Sequence, residues 1–259
     1  HQWLSQQQQQ EPVANKQSQQ QQQQQSQHSD AILCAAFQPA NNNMLAMGSA
    51  RGIVQVFSVS TGMAVRGGGQ QLQGGARAIS IAFSICGTLL WVGDDKGYIS
   101  SFIFDIGSGR ISRGRRFSAP GGGPNTCISF RHWVNRQARD PCLLVNSGGL
   151  LLVYGVVNSK DGTLVLKKRL HVCRGTQTST ALKSCFSPIM SFRDGSCVVT
   201  GADDGGLVFF DVTPSHPASP VNRLQGHSAP VGGVAFAADE RILASADASG
   251  VVILWKKGS

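Results

Sequence analysis

The chain has 259 residues, of which 41% are hydrophobic and only 14% are charged, and it carries a formal net charge of +9. This composition can fill the core of one large β domain or two small ones, and the 31 glycines suit many short strands joined by tight turns. No apolar run approaches the roughly 18 residues of a membrane-spanning helix, and the first residues lack the basic-then-apolar pattern of a signal peptide. Because the chain begins with His1 rather than Met, we expect it to be part of a longer protein.

Residues 1–28 form a low-complexity segment that holds 15 glutamines, including the runs 6–10 and 19–25. The segment has too few apolar side chains to offset the entropy lost on ordering, so we expect it to be disordered. It is either a glutamine-rich interaction segment or a loop insertion that the fold tolerates, and we favour the second.

From residue 29 onward, a unit of three short apolar runs recurs five times. Runs this short, bounded by Gly, Pro, Asn or Asp, predict β-strands. The runs are 32–37, 45–48 and 52–57; 79–83, 89–93 and 97–102; 127–130, 142–145 and 149–154; 182–186, 197–201 and 205–210; and three that end at 236, 246 and 255. Three strands cannot bury their own faces, so the copies must stack on one another.

Each copy also carries a glycine that is followed five residues later by an aromatic residue. The pairs are Gly52/Phe57, Gly97/Phe102, Gly149/Tyr154, Gly205/Phe210 and Gly250/Trp255. Glycine permits the positive φ of a tight turn, and we expect each ring to be buried between neighbouring sheets, so that truncating Trp255 would cost about 3–5 kcal/mol. The rule predicts an all-β propeller over residues 29–259. We place its five blades at about 29–72, 73–118, 119–178, 179–222 and 223–259.

Polar and glycine-rich stretches between the runs predict loops. We expect long loops over Arg110–Asn125 and Asn158–Thr180, and one short helix over Arg131–Pro141. Three glycine runs stand out: 67–69, 74–75 and 121–123. They contain the residue type of a phosphate cradle, but no helix follows them, which favours flexible loops.

The last copy resembles a WD repeat. Gly226-His227, Ser245, Asp247 and Trp255 stand where that family has its Gly-His pair, strand serine, turn aspartate and tryptophan. The resemblance implies that these side chains are hydrogen-bonded within one propeller blade as a structural network. Phe210-Asp211 matches the Trp-Asp ending of the family in part, whereas the remaining copies are expected to keep the sheet and lose the network.

Several segments also resemble one branch of the WD-repeat family that is regarded as nuclear and as an interaction protein rather than an enzyme. They are FQPANNN (37–43), LLWVGDDKG (89–97), WVNRQARDP (133–141), SPIMSFRDGSCVVTG (187–201), and LQGHSAP followed by DASGVVILW. The resemblance implies an intracellular, nuclear protein with protein partners. It also implies a ring of about seven blades, some of them outside this sequence.

Two patterns of catalytic or metal-binding residue types have simpler explanations. His227, Ser245 and Asp247 could form a nucleophilic triad, but Ser245 lies in mid-strand, so we favour the structural network and predict no enzyme. His171 and Cys173 could share a metal, but no second pair lies nearby, and we predict no metal, cofactor or small-molecule substrate. The seven cysteines form no CxxC pair and are expected to be reduced thiols.

Basic residues cluster between Ile106 and Phe192, a stretch that contains 13 Lys and Arg residues but only two acidic residues. The candidates for contact with a phosphate or an acidic partner are Arg110, Arg113, Arg115, Arg116, Lys167, Lys168 and Arg169. A solvated loop rim is the simpler interpretation. We therefore predict a non-catalytic scaffold that binds other proteins. We do not expect it to bind a membrane. The alternative is a nucleic-acid- or chromatin-associated module that uses the basic region 110–192.

Overall fold

The computed structural model describes residues 30–131, 142–172, 181–187, 197–213 and 215–256. The chain divides into two units, His1–Ala31 and Ile32–Ser259, and the strands below belong to the second. The predicted disorder of residues 1–28, the predicted helix beyond Arg131, and Cys173 lie outside the described residues. No described helix is long and apolar enough to cross a membrane.

The strands pair with their neighbours in sequence order, and every pairing is antiparallel. Sheet 1 contains β1 (Ile32–Phe37), β2 (Met44–Ser49), β3 (Ile53–Ser58) and β4 (Ala64–Gln71). Sheet 2 contains β5 (Ala78–Phe83), β6 (Leu89–Asp94), β7 (Tyr98–Phe104) and β8 (Ile111–Ser118). Sheet 3 contains β9 (Asn125–Phe130), β10 (Cys142–Ser147), β11 (Leu150–Asn158) and β12 (Thr163–His171). Sheet 4 contains β13 (Ser184–Phe186), β14 (Cys197–Gly201), β15 (Gly206–Asp211) and β16 (Pro220–Gln225), and sheet 5 contains β17 (Val231–Phe236), β18 (Ile242–Asp247) and β19 (Val252–Lys256).

The first strands of the five sheets lie side by side. β1 contacts β5, β5 contacts β9, β9 contacts β13, and β13 contacts β17. Gly201 on β14 allows this close approach, because a Cβ there would overlap the carbonyl group of Val231 on β17. Sheets stacked in sequence order along their first strands are the blades of a β-propeller. The predicted all-β propeller with five blades is therefore confirmed.

Hydrophobic cores lie between consecutive sheets, and the second strand of each inner sheet contributes to two of them. On β6, Leu90 and Val92 pack toward sheet 1, whereas Trp91 packs toward sheet 3. On β10, Leu143 packs toward sheet 2 and Leu144 toward sheet 4. Successive side chains of a strand point to opposite faces, so a strand buried on both faces reads as one continuous apolar run. β6 and β10 are therefore apolar at successive positions rather than at alternating ones.

Each of the first four sheets has a fourth, outer strand that the three recurring apolar runs do not include. β8 and β12 lie inside the two stretches that we predicted as long loops. In β8 only Ile111 is buried, with Gly114 and Phe117 half-buried. An outer strand packs along one edge of its sheet and needs few apolar residues, so its pattern looks like that of a polar loop.

The glycines Gly67–Gly69 form part of β4 rather than a flexible loop. A Cβ on Gly68 would lie 3.0 Å from both the carbonyl oxygen of Gly109 and the Cβ of Val56. Glycine at this position therefore lets the turn before β8 approach sheet 1 closely.

Candidate functional site

Buried polar side chains in and beside sheet 5 are linked by a series of hydrogen bonds. His227 Nδ1 donates to Asp247 Oδ2 at 2.9 Å, and the Ser245 hydroxyl donates to His227 Nε2 at 2.7 Å. Trp255 Nε1 donates in turn to Ser245 Oγ at 2.7 Å. Strand geometry brings these groups together, because Ser245 and Asp247 alternate on β18 and Trp255 lies two residues beyond Ile253, the register partner of Ser245. The carboxylate fixes the imidazole proton on Nδ1, which leaves Nε2 as an acceptor.

The polar network of His227, Ser245, Asp247 and Trp255 also holds the turn between β18 and β19. Asp247 Oδ1 accepts from the Ser249 amide at 2.9 Å, the Ser249 hydroxyl at 2.6 Å and the Val251 amide at 3.0 Å. Ser245 is only 2% exposed, so its hydroxyl does not face a substrate. The arrangement is therefore suited to bracing a turn, in which buried polar groups satisfy one another, rather than to nucleophilic catalysis.

The same contacts set the ionisation of Asp247. The Ser249 hydroxyl, the amides of Val251 and Ser249, and the His227 ring lower the pKa of the Asp247 carboxyl to about 2, against the opposing effect of burial. The carboxylate is thus charged at neutral pH and remains so through most of the acid range.

Acid is expected to remove the contribution of Asp247 to stability. Because its pKa is lower in the folded state than in the unfolded state, this contribution is complete above about pH 4 and is lost as the pH falls toward 2. Denaturant unfolding of the parent and of Asp247→Asn should give a stability difference that is constant above about pH 4 and shrinks below it. Val157→Ala, at an exposed position without a titratable group, is the control and should not show this trend. A difference between parent and Asp247→Asn that persists unchanged to pH 2 would contradict the assignment.

Sheet 2 keeps the turn aspartate of this network without its histidine. Asp94 pairs with Ala78 in the same register in which Asp247 pairs with Val231. His227 precedes Val231 by four residues, and the residue that precedes Ala78 by four is Gly74. No imidazole is therefore supplied to Asp94 from this position.

Asp94 is bonded through only one of its carboxylate oxygens. Oδ1 accepts from the amides of Lys96 and Tyr98 at 3.0 and 2.7 Å. Oδ2 is buried with no hydrogen-bond partner among the described residues, and Arg116 Nη2 approaches it to 3.6 Å. A guanidinium from β8 thus partly takes the place of the histidine in sheet 2.

The aromatic residues at the strand ends fall into two groups. Phe102, Tyr154 and Phe210 are 2%, 4% and 0% exposed, whereas Phe57 and Trp255, in the first and last sheets, are half-buried. Tyr154 differs from Trp255 because its hydroxyl has no hydrogen-bond partner among the described residues. Burial raises the pKa of the Tyr154 phenol, although Arg169 opposes the shift.

The comparisons with known proteins agree with this architecture. Residues 218–256, which contain the network, match the family model described as WD domain, G-beta repeat. A chain of the "Crystal Structure of Mitotic Checkpoint Complex" matches with a TM-score of 0.61 and 17% identity over 88% of this chain and 60% of that chain. The β-propeller domain of Myceliophteria thermophila Cps50 (Swd1) matches with a TM-score of 0.65 and 14% identity over 90% of this chain and 67% of that chain. The fold is that of a β-propeller.

These similarities do not establish a shared activity. At 17% and 14% identity, the likeness to the two structures concerns the fold alone. The chain spans 60% of the length of the first of these two chains. Any function must therefore be argued from the surfaces of this propeller.

The predicted basic residues do not form one patch. Arg110 lies in the turn before β8, and Arg113, Arg115 and Arg116 lie on that strand. Arg115 is turned toward sheet 3, where its Nε pairs with Asp161 Oδ2 at 3.0 Å. Arg113 and Arg116 are turned toward sheet 1.

Lys167, Lys168 and Arg169 lie on β12, and the central one of the three connects two sheets. Lys168 Nζ donates to the backbone carbonyls of Asp211, Thr213 and His216 at 3.0, 2.9 and 2.8 Å. Desolvation lowers the pKa of Lys168, although Asp211 opposes the shift. Lys168 therefore joins sheet 3 to sheet 4 instead of facing a ligand.

A groove of about 450 Å³ lies between sheets 4 and 5, and the sequence did not indicate it. Its floor is apolar and its rim is charged. The floor includes Phe209, Leu224, Phe236, Leu243 and Trp255, and the rim includes Glu240, Arg241 and Lys256. The Ser187 hydroxyl donates to the Glu240 carboxylate at one end. An apolar groove with a few polar groups at its edge suits the binding of a side chain or a short peptide segment.

Burial keeps three of the described cysteine thiols protonated, and the described metal-ligand residue types are not grouped. The six described cysteines are free thiols. Burial raises the pKa of Cys185 to about 12 and those of Cys34 and Cys197 to about 11, so these thiols stay protonated at neutral pH. Within the described ranges, no group of three His, Cys, Asp or Glu side chains is placed to hold a metal ion.

Proposed function

We propose that this WD-repeat propeller is a non-catalytic scaffold that binds other proteins. The groove between sheets 4 and 5 is the observation that carries the proposal, because it offers apolar surface on a rigid frame. The fold neighbour from the mitotic checkpoint complex supports it further, since that chain occurs in a complex.

The lining of the groove defines the segment that it would hold. Half-buried Phe209 and Trp255 provide aromatic surface, of the kind that contributes most binding energy at protein interfaces. Arg241 and Lys256 carry positive charge on the rim, and Glu240 carries negative charge. A peptide with an apolar anchor residue flanked by polar or charged residues fits this lining.

Capture experiments with the whole chain test the groove directly. Val221→Arg places a charge in the groove from the outer strand β16, whereas Val157→Arg, at a position 63% exposed on sheet 3, is the matched control. Proteins retained by the parent and by Val157→Arg, and lost with Val221→Arg, would support the scaffold. Identical sets from both variants, or no reproducible protein from the parent, would contradict it.

A second candidate function is association with nucleic acid through β8. Its specific support is Arg115, whose side chain is 66% exposed. Binding of this type weakens steeply with added salt, because counterions are released from phosphates. A triple variant of Arg113, Arg115 and Arg116 to Glu that binds duplex DNA as well as the parent would eliminate this candidate.

The narrower family relationship is also a proposal. The segments quoted above, from FQPANNN to DASGVVILW, resemble the C-terminal half of WD repeat-containing protein 13. On that basis we propose a nuclear location and a role in a nuclear regulatory complex. Microscopy of the tagged full-length protein tests the location, and exclusion from the nucleus would remove this proposal.

A further inference from the structure

A β-bulge in the outer half of sheet 2 places two arginines on the same face. Ser100 pairs with Arg116, but Phe102 pairs with Arg113, so the register shifts between them. Side chains separated by three positions on a regular strand would point to opposite faces. Because of the extra residue, both guanidinium groups are turned toward sheet 1.

The two guanidinium groups are bonded mainly to neutral oxygens. Arg113 Nε donates to Gln70 Oε1 at 3.2 Å, and its Nη2 donates to the Gln71 carbonyl at 2.8 Å. Arg116 Nη1 donates to Gln73 Oε1 at 3.3 Å. These glutamine amides are weaker partners than an anion, since hydrogen bonds to ionised acceptors are roughly twice as strong.

Arg116 is also fixed in orientation. Its guanidinium carbon lies 3.8 Å from the centroid of the Tyr98 ring, which holds the planar group against the ring face. The nearest carboxylate oxygen is the buried Asp94 Oδ2, at 3.6 Å. Such a clamp reduces the side-chain entropy that a ligand must overcome on binding.

A cleft of about 50 Å³ opens at these two arginines. It is lined by Gln71, Gln73, Ser100, Arg113 and Arg116, among others. This volume exceeds the minimum of about 10–15 Å³ that a cavity needs to hold one water-sized group. The cleft can therefore admit small polar groups from solvent.

We propose that this cleft binds a single phosphoryl group carried on a protein segment. The phosphoryl oxygens would displace the side chains of Gln70 and Gln73 from the two guanidinium groups and accept their hydrogen bonds. The proposal rests on the scaffold function and specifies one class of its partners, phosphorylated proteins.

The placement of the charges favours a phosphorylated protein over nucleic acid. A nucleic-acid backbone presents a row of phosphates and requires a track of cations. Here Arg115 faces sheet 3 and is paired with Asp161, and Lys168 is held by three backbone carbonyls. Neither Arg115 nor Lys168 therefore extends the two arginines of the cleft into a track.

Titration of the whole chain with the peptide Gly-Ala-phosphoserine-Ala-Gly and with its unphosphorylated form tests the proposal. Binding should require the phosphoryl group, and Arg113→Gln with Arg116→Gln should weaken it by at least about tenfold, as expected for the loss of charge-assisted hydrogen bonds. Arg169→Gln, on β12 and outside the lining of the cleft, should leave it unchanged. Equal binding of both peptides, or no effect of the double substitution, would overturn the proposal.

A second variant keeps the test independent of folding defects. Gln73→Glu leaves both arginines in place and supplies an internal carboxylate to Arg116, so it should block the phosphopeptide without loss of the folded state. Unchanged phosphopeptide binding by this variant would contradict the site. Duplex DNA that binds more tightly than the phosphopeptide and is weakened by Arg169→Gln, outside the cleft, would favour a nucleic-acid surface instead. If the phosphopeptide does not bind while capture of proteins through the groove is intact, the phosphoryl site is wrong but the scaffold function is retained.

Discussion

Replacing Trp91 with alanine is expected to lower the free energy of unfolding by about 3–5 kcal/mol. Trp91 is fully buried, and its ring stacks on that of Phe130 with the centroids 5.5 Å apart. Its Nε1 also donates to the carbonyl of Gly162 at 3.1 Å. One side chain thus joins sheet 2 to the first strand of sheet 3 and to the turn between β11 and β12. The substitution removes a stacked ring and leaves a carbonyl without its donor.

Denaturant unfolding of Trp91→Ala and two further variants separates these contributions. Trp91→Phe keeps an aromatic ring and loses the N–H group, so it should recover a substantial part of the lost stability. Val157→Ala, at a position 63% exposed on sheet 3, should change stability by no more than about 0.5 kcal/mol. A loss below about 1 kcal/mol for Trp91→Ala would show that sheets 2 and 3 do not depend on this side chain.

The second strands of the inner sheets are buried on both faces, and the sequence predicted them. β6, β10 and β14 are continuous apolar runs because cores lie on either side of them. The outer strands β8 and β12 were misread as loops because only one edge of each is paired, so polar residues dominate. An apolar run in the sequence indicates a buried strand. An outer strand of a propeller is mostly exposed, so it lacks such a run.

The functional surfaces were also only partly predictable from the sequence, for a different reason. The residues of the network, His227 to Trp255, lie within one repeat, so a local motif reveals them. The groove is lined by residues as far apart in the sequence as Ser187 and Lys256. The arginine cleft depends on a β-bulge in β8, where the register shifts between Ser100 and Phe102 of β7. Neither arrangement has a local signature, because each is produced by the packing of one sheet against another.

Replacing Phe210 with alanine is expected to cost about 3–5 kcal/mol, and replacing Trp255 with alanine is expected to cost less, about 2 kcal/mol. Phe210 is 0% exposed and lies in the core between sheets 3 and 4. Trp255 occupies the corresponding strand end but is half-buried, since one side of it lines the groove. The larger cost expected for Trp255 from the sequence assumed complete burial, and the structure lowers it.

Unfolding of the two alanine variants under the same conditions tests this ordering, with Phe57→Ala as a third, half-buried member of the series. Phe57 should resemble Trp255 in its loss, without the hydrogen bond that Trp255 donates to Ser245. Equal losses for Phe210 and Trp255 would mean that the groove is closed over the indole in solution. In that case a partner would have to displace Trp255 in order to enter the groove.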